Sequence, residues 1–192
     1  MNSGKVIIIL GISGVGKTYY KNFISNKYDL YQLTRVITRK QRDNEKTGSD
    51  IKVDIEEFKK MNNRNEFFIY TKVHNEFYAY LNKDIKKTET GTHVIGDCYY
   101  KLLKKLRKIL KEKLIVICIQ PYNLEKTISL IKNEREDYKK RIKAAVKEYK
   151  YYKKNKDKID YIIYTDYTKN TDKQIINVMN DILNIKEGKK WS

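Results

Sequence analysis

Lys5-Val6-Ile7-Ile8-Ile9-Leu10-Gly11-Ile12-Ser13-Gly14-Val15-Gly16-Lys17-Thr18 carries the reading that decides the fold. The five residues from Val6 to Leu10 are apolar without alternation, as in a strand covered on both faces. A helix is expected from Lys17, so Gly11 to Thr18 forms the turn between strand and helix and matches Gly, four residues, Gly-Lys-Ser/Thr. In that setting the backbone N–H groups of Gly14, Val15 and Gly16 curl around a phosphate at the positive end of a helix dipole. Glycines suit the turn because side chains would block the approach of the phosphate. Lys17 is expected to neutralise the β and γ phosphates and Thr18 to hold Mg²⁺ through its hydroxyl. The whole loop, Gly11, Ile12, Ser13, Gly14, Val15, Gly16, Lys17 and Thr18, is assigned to ATP.

Outward from this loop, apolar runs alternate with helical patterns, which predicts an α/β fold around a parallel sheet of five strands. The strands are expected at Lys5 to Leu10, Leu30 to Ile37, His93 to Asp97, Leu114 to Ile119 and Ile159 to Tyr164. Helices are expected after Lys17, from Tyr99 to Lys111, from Asn123, from Glu136 to Lys154, and from Thr171 to Lys186 with a capping box of Thr171 and Gln174. Along the long helix Tyr138, Ile142, Ala145, Tyr149 and Tyr152 make one stripe, read as core packing. Between Thr38 and Tyr80 the rhythm breaks. A polar loop, a short helix capped by Asp54 and Glu57, and aromatic strands at Glu66 to Val73 and Phe77 to Tyr80 predict a substrate-binding insert.

The chain has 192 residues, of which 40% are hydrophobic and 34% charged, enough for one ordinary domain with a buried core. No apolar run approaches the roughly 20 residues of a membrane helix, and no signal peptide is predicted. With only Cys98 and Cys118, neither a disulfide framework nor a zinc site is expected, and a reducing cytoplasm is the default. The 42 basic against 24 acidic residues give a net charge of +18. Abundant Lys, Asn, Ile and Tyr with scarce Gly, Ala and Pro point to an AT-rich coding bias as its origin. Nucleic acid is therefore the less favoured partner and a small phosphorylated acceptor the preferred one, attracted by the positive field. The phosphate loop in a chain this short, with an insert after the second strand and a basic helix near two thirds of its length, has the layout of a nucleoside-monophosphate kinase.

Thr38-Arg39-Lys40-Gln41-Arg42-Asp43-Asn44-Glu45-Lys46-Thr47-Gly48-Ser49-Asp50, then Glu66-Phe67 and Glu76-Phe77-Tyr78, resemble the acceptor lobe of guanylate kinases. The resemblance also takes in the Ser-Gly-Val-Gly-Lys-Thr loop and Lys140-Arg141-Ile142 with Ala144-Ala145, and so spans nearly the whole chain. It implies a P-loop kinase fold of three layers, with a core of residues 1–33, 81–125 and 155–192, an acceptor-binding insert of 34–80, and a short helical lid and post-lid helix of 126–154. It implies that Arg39, Arg42 and Tyr78 grip the acceptor phosphate, with Glu45 and Asp50 ordering those arginines or their loop. Paired guanidinium groups suit that task, since they contact phosphate in a planar, bidentate way that lysine does not reproduce. Arg141 and Arg135 would close over the transferring phosphoryl group. Asp97, at the end of its strand, is either a Mg²⁺-linked or acceptor-contacting carboxylate or the N-cap of the helix that follows.

The departures are specific. Positions that read guanine in the family fall on Arg35, Ile69 and Tyr80, and the family's tyrosine and glycine near the phosphate grip are Ile51 and Ala79. A carboxylate pairing with guanine N1–H and N2–H separates that base from adenine, and Ile69 has none to offer. Arg35-Val36-Ile37-Thr38-Arg39 is also similar to the Arg-x-Ile-Thr-Arg of ribose 1,5-bisphosphate phosphokinases, which act on a sugar phosphate. The resemblance thus implies transfer of the ATP γ-phosphoryl to a nucleoside monophosphate, GMP-like in kind. A sugar-phosphate kinase, an inactive guanylate-kinase-like binding module and a polynucleotide-end kinase are the alternatives.

Overall fold

The computed structural model describes residues 3–40, 50–73, 75–134 and 137–185. Arg42, Glu45, Arg135 and His74 lie outside these described residues. In chain order the elements are β1 (Val6–Gly11), α1 (Lys17–Tyr28), β2 (Tyr31–Gln32), β3 (Arg35–Ile37), β4 (Ile51–Lys52), α2 (Ile55–Asn63), β5 (Phe67–Val73), β6 (Glu76–Leu81) and α3 (Asn82–Lys86). There follow β7 (Val94–Asp97), α4 (Leu103–Leu110), β8 (Leu114–Pro121), α5 (Leu124–Glu134), α6 (Tyr138–Lys154), β9 (Tyr161–Thr165) and α7 (Lys169–Ile182). Five strands form one sheet in the order β2-β7-β1-β8-β9, with β2 parallel to β7 and β8 parallel to β9. Every residue of β1 is buried, as its unbroken apolar run predicts. The chain gathers into two compact units, residues 1–8 with 30–115 and residues 9–29 with 116–192.

In the first unit the stretch expected as one strand, Leu30 to Ile37, is two. β2 joins the five-stranded sheet, and β3 joins a second sheet of order β4-β3-β6-β5. The break has a physical cause in Asp84 on α3, a fully buried carboxylate that accepts from the Thr34 N–H at 2.7 Å and the Tyr31 hydroxyl at 3.0 Å. A buried charge must be hydrogen-bonded, and satisfying it pulls the chain out of the ladder at Thr34. β4 and α3 carry too little pattern to be seen in the sequence.

The second sheet alternates cleanly. On one face Val36, Ala79 and Leu81 pack with Phe58 and Met61 of α2. The ring of Phe58 lies 4.5 Å from that of Phe67 and 4.9 Å from that of Phe77. α2 begins where the sequence places it, with the Asp54 carboxylate accepting from the Glu57 N–H at 2.7 Å. On the other face the register sets Arg35 opposite Tyr80, Ile37 opposite Tyr78, and Ile69 opposite Tyr80. A register shift between Phe67 and Ile69 turns Phe67 to the aromatic core and Ile69 to this opposite face.

The second unit holds the end of β1, α1, β9 and α5 to α7. Tyr28 of α1 donates to the Ile176 carbonyl at 3.2 Å and to Asn180 at 3.0 Å, tying α1 to α7. α7 starts earlier than expected. Its cap is Thr168, whose hydroxyl accepts from the Asn170 N–H at 3.2 Å, whereas Thr171 is fully buried and bonds Thr165 and Asp166 instead. The segment expected as a helix from Tyr99 opens with one 3-10 turn, Tyr100–Leu102, before α4. In the stripe of α6 only Ala145 and Tyr152 are buried, with Tyr138, Ile142 and Tyr149 half-buried.

Candidate functional site

The phosphate loop, in the second unit, runs from the end of β1 to the start of α1. Gly14 and Gly16 have φ of 85° and 88°, a backbone conformation that L side chains rarely adopt. Gly16 is also the N-cap of α1, with no side chain bonded to the helix end and no acidic residue in its first turn. The free N–H groups there and the positive end of the helix dipole form an anion site. Lys17 folds back, its Nζ donating to the carbonyls of Gly11 and Ile12 at 2.9 Å each. No carboxylate among the described residues pairs with Lys17. Ser13 presents its N–H to Glu148 Oε2 at 2.7 Å. A Cβ on Gly14 would meet Ile131 Cγ1 of α5 at 2.6 Å, so that helix lies directly against the loop.

Thr18 is exposed on the first turn of α1. No group of three or more His, Cys, Asp or Glu able to hold a metal occurs among the described residues. One hydroxyl without a carboxylate cage fits Mg²⁺ held chiefly by phosphate oxygens and water, as this ion prefers beside nucleotides. Behind α1, the Tyr20 hydroxyl bonds Thr165 Oγ1 at 2.8 Å, and Thr165 is bonded in turn by Thr171 at 3.1 Å. Asp166 accepts from Thr168 and Thr171, and the Thr168 bonds hold its carboxyl below the usual range. On α6, Arg141 donates from Nε to Asp137 at 2.5 Å.

The second sheet, in the first unit, is organised around Arg35. Its Nε and Nη2 donate to the two oxygens of Asp50 at 3.0 and 2.7 Å, and its Nη1 donates to Asp97 at 3.0 Å. Burial opposes the guanidinium charge, yet the Asp97 carboxylate and the bond to Asp50 outweigh it and hold its pKa above the usual value. Tyr80, opposite Arg35, donates its hydroxyl to the Asp97 carbonyl and accepts from the Asp97 N–H at 3.0 Å. Burial first and the Asp97 charge second push its hydroxyl well above the ordinary tyrosine pKa. A Cβ on Gly96 would stand 2.9 Å from Leu33 and 3.1 Å from the Tyr80 oxygen, so that glycine makes room for the tyrosine. Tyr78 sits beside Tyr99, edge to face with ring centroids 5.1 Å apart.

Of the residues expected to grip the acceptor phosphate, Arg39 is half-buried and donates to the Lys40 carbonyl at 2.8 Å. The chain entering Arg39 is anchored through Thr38, whose hydroxyl donates to Glu76 at 2.6 Å and accepts from the Phe77 N–H at 2.9 Å. Asp50 lies on Arg35 rather than on Arg39. Asp97 is bonded by Arg35, and the turn after it is entered through Tyr99 with no side-chain cap. Sequence reasoning passed over Glu148, Tyr20, Gly96 and the ion triad of Arg35. Only Glu148 carries a local signal, lying seven residues, two helical turns, beyond Arg141.

Residues 3–182 match the family model described as guanylate kinase. The chain is 31% identical over 169 residues to the guanylate kinase of Mycoplasma mobile, covering 78% of this chain and 81% of that protein. It is 24% identical over 153 residues to the guanylate kinase of Mycoplasma genitalium, where the match covers 78% of this chain and spans 64% of that protein's length. The crystal structure of guanylate kinase from Anaplasma phagocytophilum superposes with a TM-score of 0.75 at 21% identity, covering 97% of this chain and 89% of that one.

Proposed function

We infer that this chain, which belongs to the guanylate kinase family, transfers the γ-phosphoryl group of ATP to a nucleoside monophosphate. The observation that carries the reading is the phosphate loop, with α1 uncapped by any side chain, Lys17 paired with no carboxylate among the described residues, and an exposed Thr18. In the proposed step an oxygen of the acceptor phosphate bonds to the γ-phosphorus as the bond to the β,γ-bridging oxygen breaks, and ADP leaves. Backbone N–H groups of Gly14 to Gly16 and the Lys17 ammonium bind the phosphates, and Arg141, once released from Asp137, offsets charge on the equatorial oxygens. Thr18 would help to hold Mg²⁺ through its hydroxyl, and the ion would supply charge neutralisation when bound. Arg39, with Arg42, Glu45 and Tyr78, is proposed to hold the acceptor phosphate, and Arg135 to assist Arg141.

A coupled assay of ADP release against a panel of nucleoside and sugar monophosphates tests the reading. Turnover on a nucleoside monophosphate is expected, and no turnover on any acceptor would refute it. The intact loop weighs against an inactive binding module, and saturable Mg²⁺-ATP binding in calorimetry excludes that alternative. One observation favours a second acceptor class. Arg35 occupies both Asp50 and Asp97, and Ile69 is buried beside Tyr80, so this face offers a base no unengaged carboxylate among the described residues. A sugar phosphate needs none, and preference for it over every nucleotide would decide for this second reading.

A further inference from the structure

The bond from Ser13 to Glu148 is not needed to make a phosphate loop, which is built from its own backbone and the following helix. It nevertheless reaches across 135 positions of sequence, from α6 to the loop. At 2.7 Å, with a carboxylate acceptor, it belongs to the charge-assisted class, about twice the strength of a neutral bond. Gly14, the next residue, lies against Thr127 and Ile131 of α5, so adjacent loop residues are held by the two helices in succession. Glu148 and Arg141 lie seven residues apart and so share one side of α6. Ser13 is half-buried and Gly14 is exposed.

We propose that Glu148 is a positioning residue for nucleotide binding: its carboxylate fixes Ser13, keeps the phosphate loop in its binding shape before ATP arrives, and ties the loop to the helix that carries Arg141. The proposal rests on the loop being the ATP site. Holding a loop in its bound form strengthens binding by removing the cost of ordering it, without adding a contact to the ligand. An opposite effect is also physically available. A carboxylate near a phosphate site repels the ligand, and if that dominated, removing Glu148 would tighten binding.

Calorimetry of Mg²⁺-ATP with the wild type, Glu148→Gln, Glu148→Ala and Glu148→Asp separates the two, with thermal unfolding and steady-state kinetics alongside. Gln keeps an acceptor oxygen at the same reach without the charge, whereas Asp keeps the charge one methylene short. The expected result is a loss of about 5- to 15-fold in ATP affinity for Ala and Asp, the weight of one hydrogen bond, with Gln within about threefold of wild type. The loss should fall on the KM for ATP, leaving the acceptor KM unchanged. Tighter binding in Ala and Gln, unchanged binding in Ala and Asp, or equal losses in all three would each overturn the proposal. Should Ala fail to fold, the contrast of Asp with Gln still decides. A wild type that binds no Mg²⁺-ATP would instead remove the nucleotide reading itself.

Discussion

The phosphate loop and the proposed acceptor face of the second sheet are built from opposite materials. In the loop the groups are main-chain N–H donors and one ammonium, shaped by glycines at φ of 85° and 88°. On the second sheet they are side chains, and the central one, Arg35, draws its partners, Asp50 and Asp97, from 15 and 62 positions away. A backbone site is specified by a short run of residues, because its geometry follows from local dihedrals. A side-chain site is specified by pairs that meet only after strands have found their register.

The largest effect is expected where the loop relies on its single side chain. Lys17→Ala removes the ammonium held over the loop by Gly11 and Ile12, and kcat should fall on the order of 10²- to 10³-fold, as when one donor to developing charge is lost. Fold and melting temperature should stay close to wild type, since Lys17 is half-buried and its partners are backbone carbonyls. Single-turnover kinetics with saturating ATP measure this, and a decrease below about tenfold would show that backbone N–H groups alone suffice.

On the acceptor side the corresponding test is Arg39→Ala. It should remove about 1.5–3 kcal/mol of charge-assisted bonding and lower kcat/KM for the acceptor by roughly 10- to 150-fold, with ATP affinity little changed. Arg39→Lys should recover only part, because an ammonium gives no planar fork. A uniform loss of ATP and acceptor affinity would mean that Arg39 supports the lobe rather than the ligand.

This contrast in materials also marks what the sequence made legible. The loop, the α/β alternation and α2 with its Asp54 cap follow from patterns within a few residues. The split at Thr34 was hidden because its cause, Asp84, lies 50 positions on, in a short helix with no pattern of its own. The cap of α7 was misplaced because Thr168 and Thr171 are both good caps by type, and only the buried bonds of Thr171 to Thr165 and Asp166 show that it is otherwise engaged. In the sequence Arg35, Ile69 and Tyr80 stand apart as three separate departures from a family pattern. That they form one row across β3, β6 and β5 is a property of register, including the shift after Phe67, and no local periodicity announces it.

A smaller effect tests how firmly that row is held. In Gly96→Ala the new methyl would stand 3.1 Å from the Tyr80 oxygen and 2.9 Å from Leu33. Leu33 can shift its tip. Tyr80 is pinned through its hydroxyl to both the N–H and the carbonyl of Asp97, so it yields less easily. A stability loss of about 1–3 kcal/mol is expected, as for other overpacked sites. The acceptor KM should rise while the ATP KM holds. Equal changes in both would deny that the row serves the acceptor alone.

The smallest expected effect concerns base choice and bears most directly on the acceptor face. A site that tells guanine from adenine by a carboxylate loses orders of magnitude in discrimination when that partner goes, because N1–H and N2–H are then buried unpaired. Here Ile69 is 1% exposed, and on this side Asp50 and Asp97 accept from Arg35 while Glu76 accepts from Thr38. The wild type should therefore separate GMP from AMP by no more than about tenfold in kcat/KM, well short of what paired polar contacts achieve. Ile69→Glu should move that ratio toward GMP while lowering the melting temperature, since the new carboxylate enters a buried position beside Tyr80. Arg35→Ala works from the other side. It frees Asp50 and Asp97 to accept from a base, so selectivity for GMP should rise even as stability falls, because two partly buried carboxylates lose their counter-ion. Strong GMP selectivity in the wild type, unaltered in either variant, would show that the base is read away from this row.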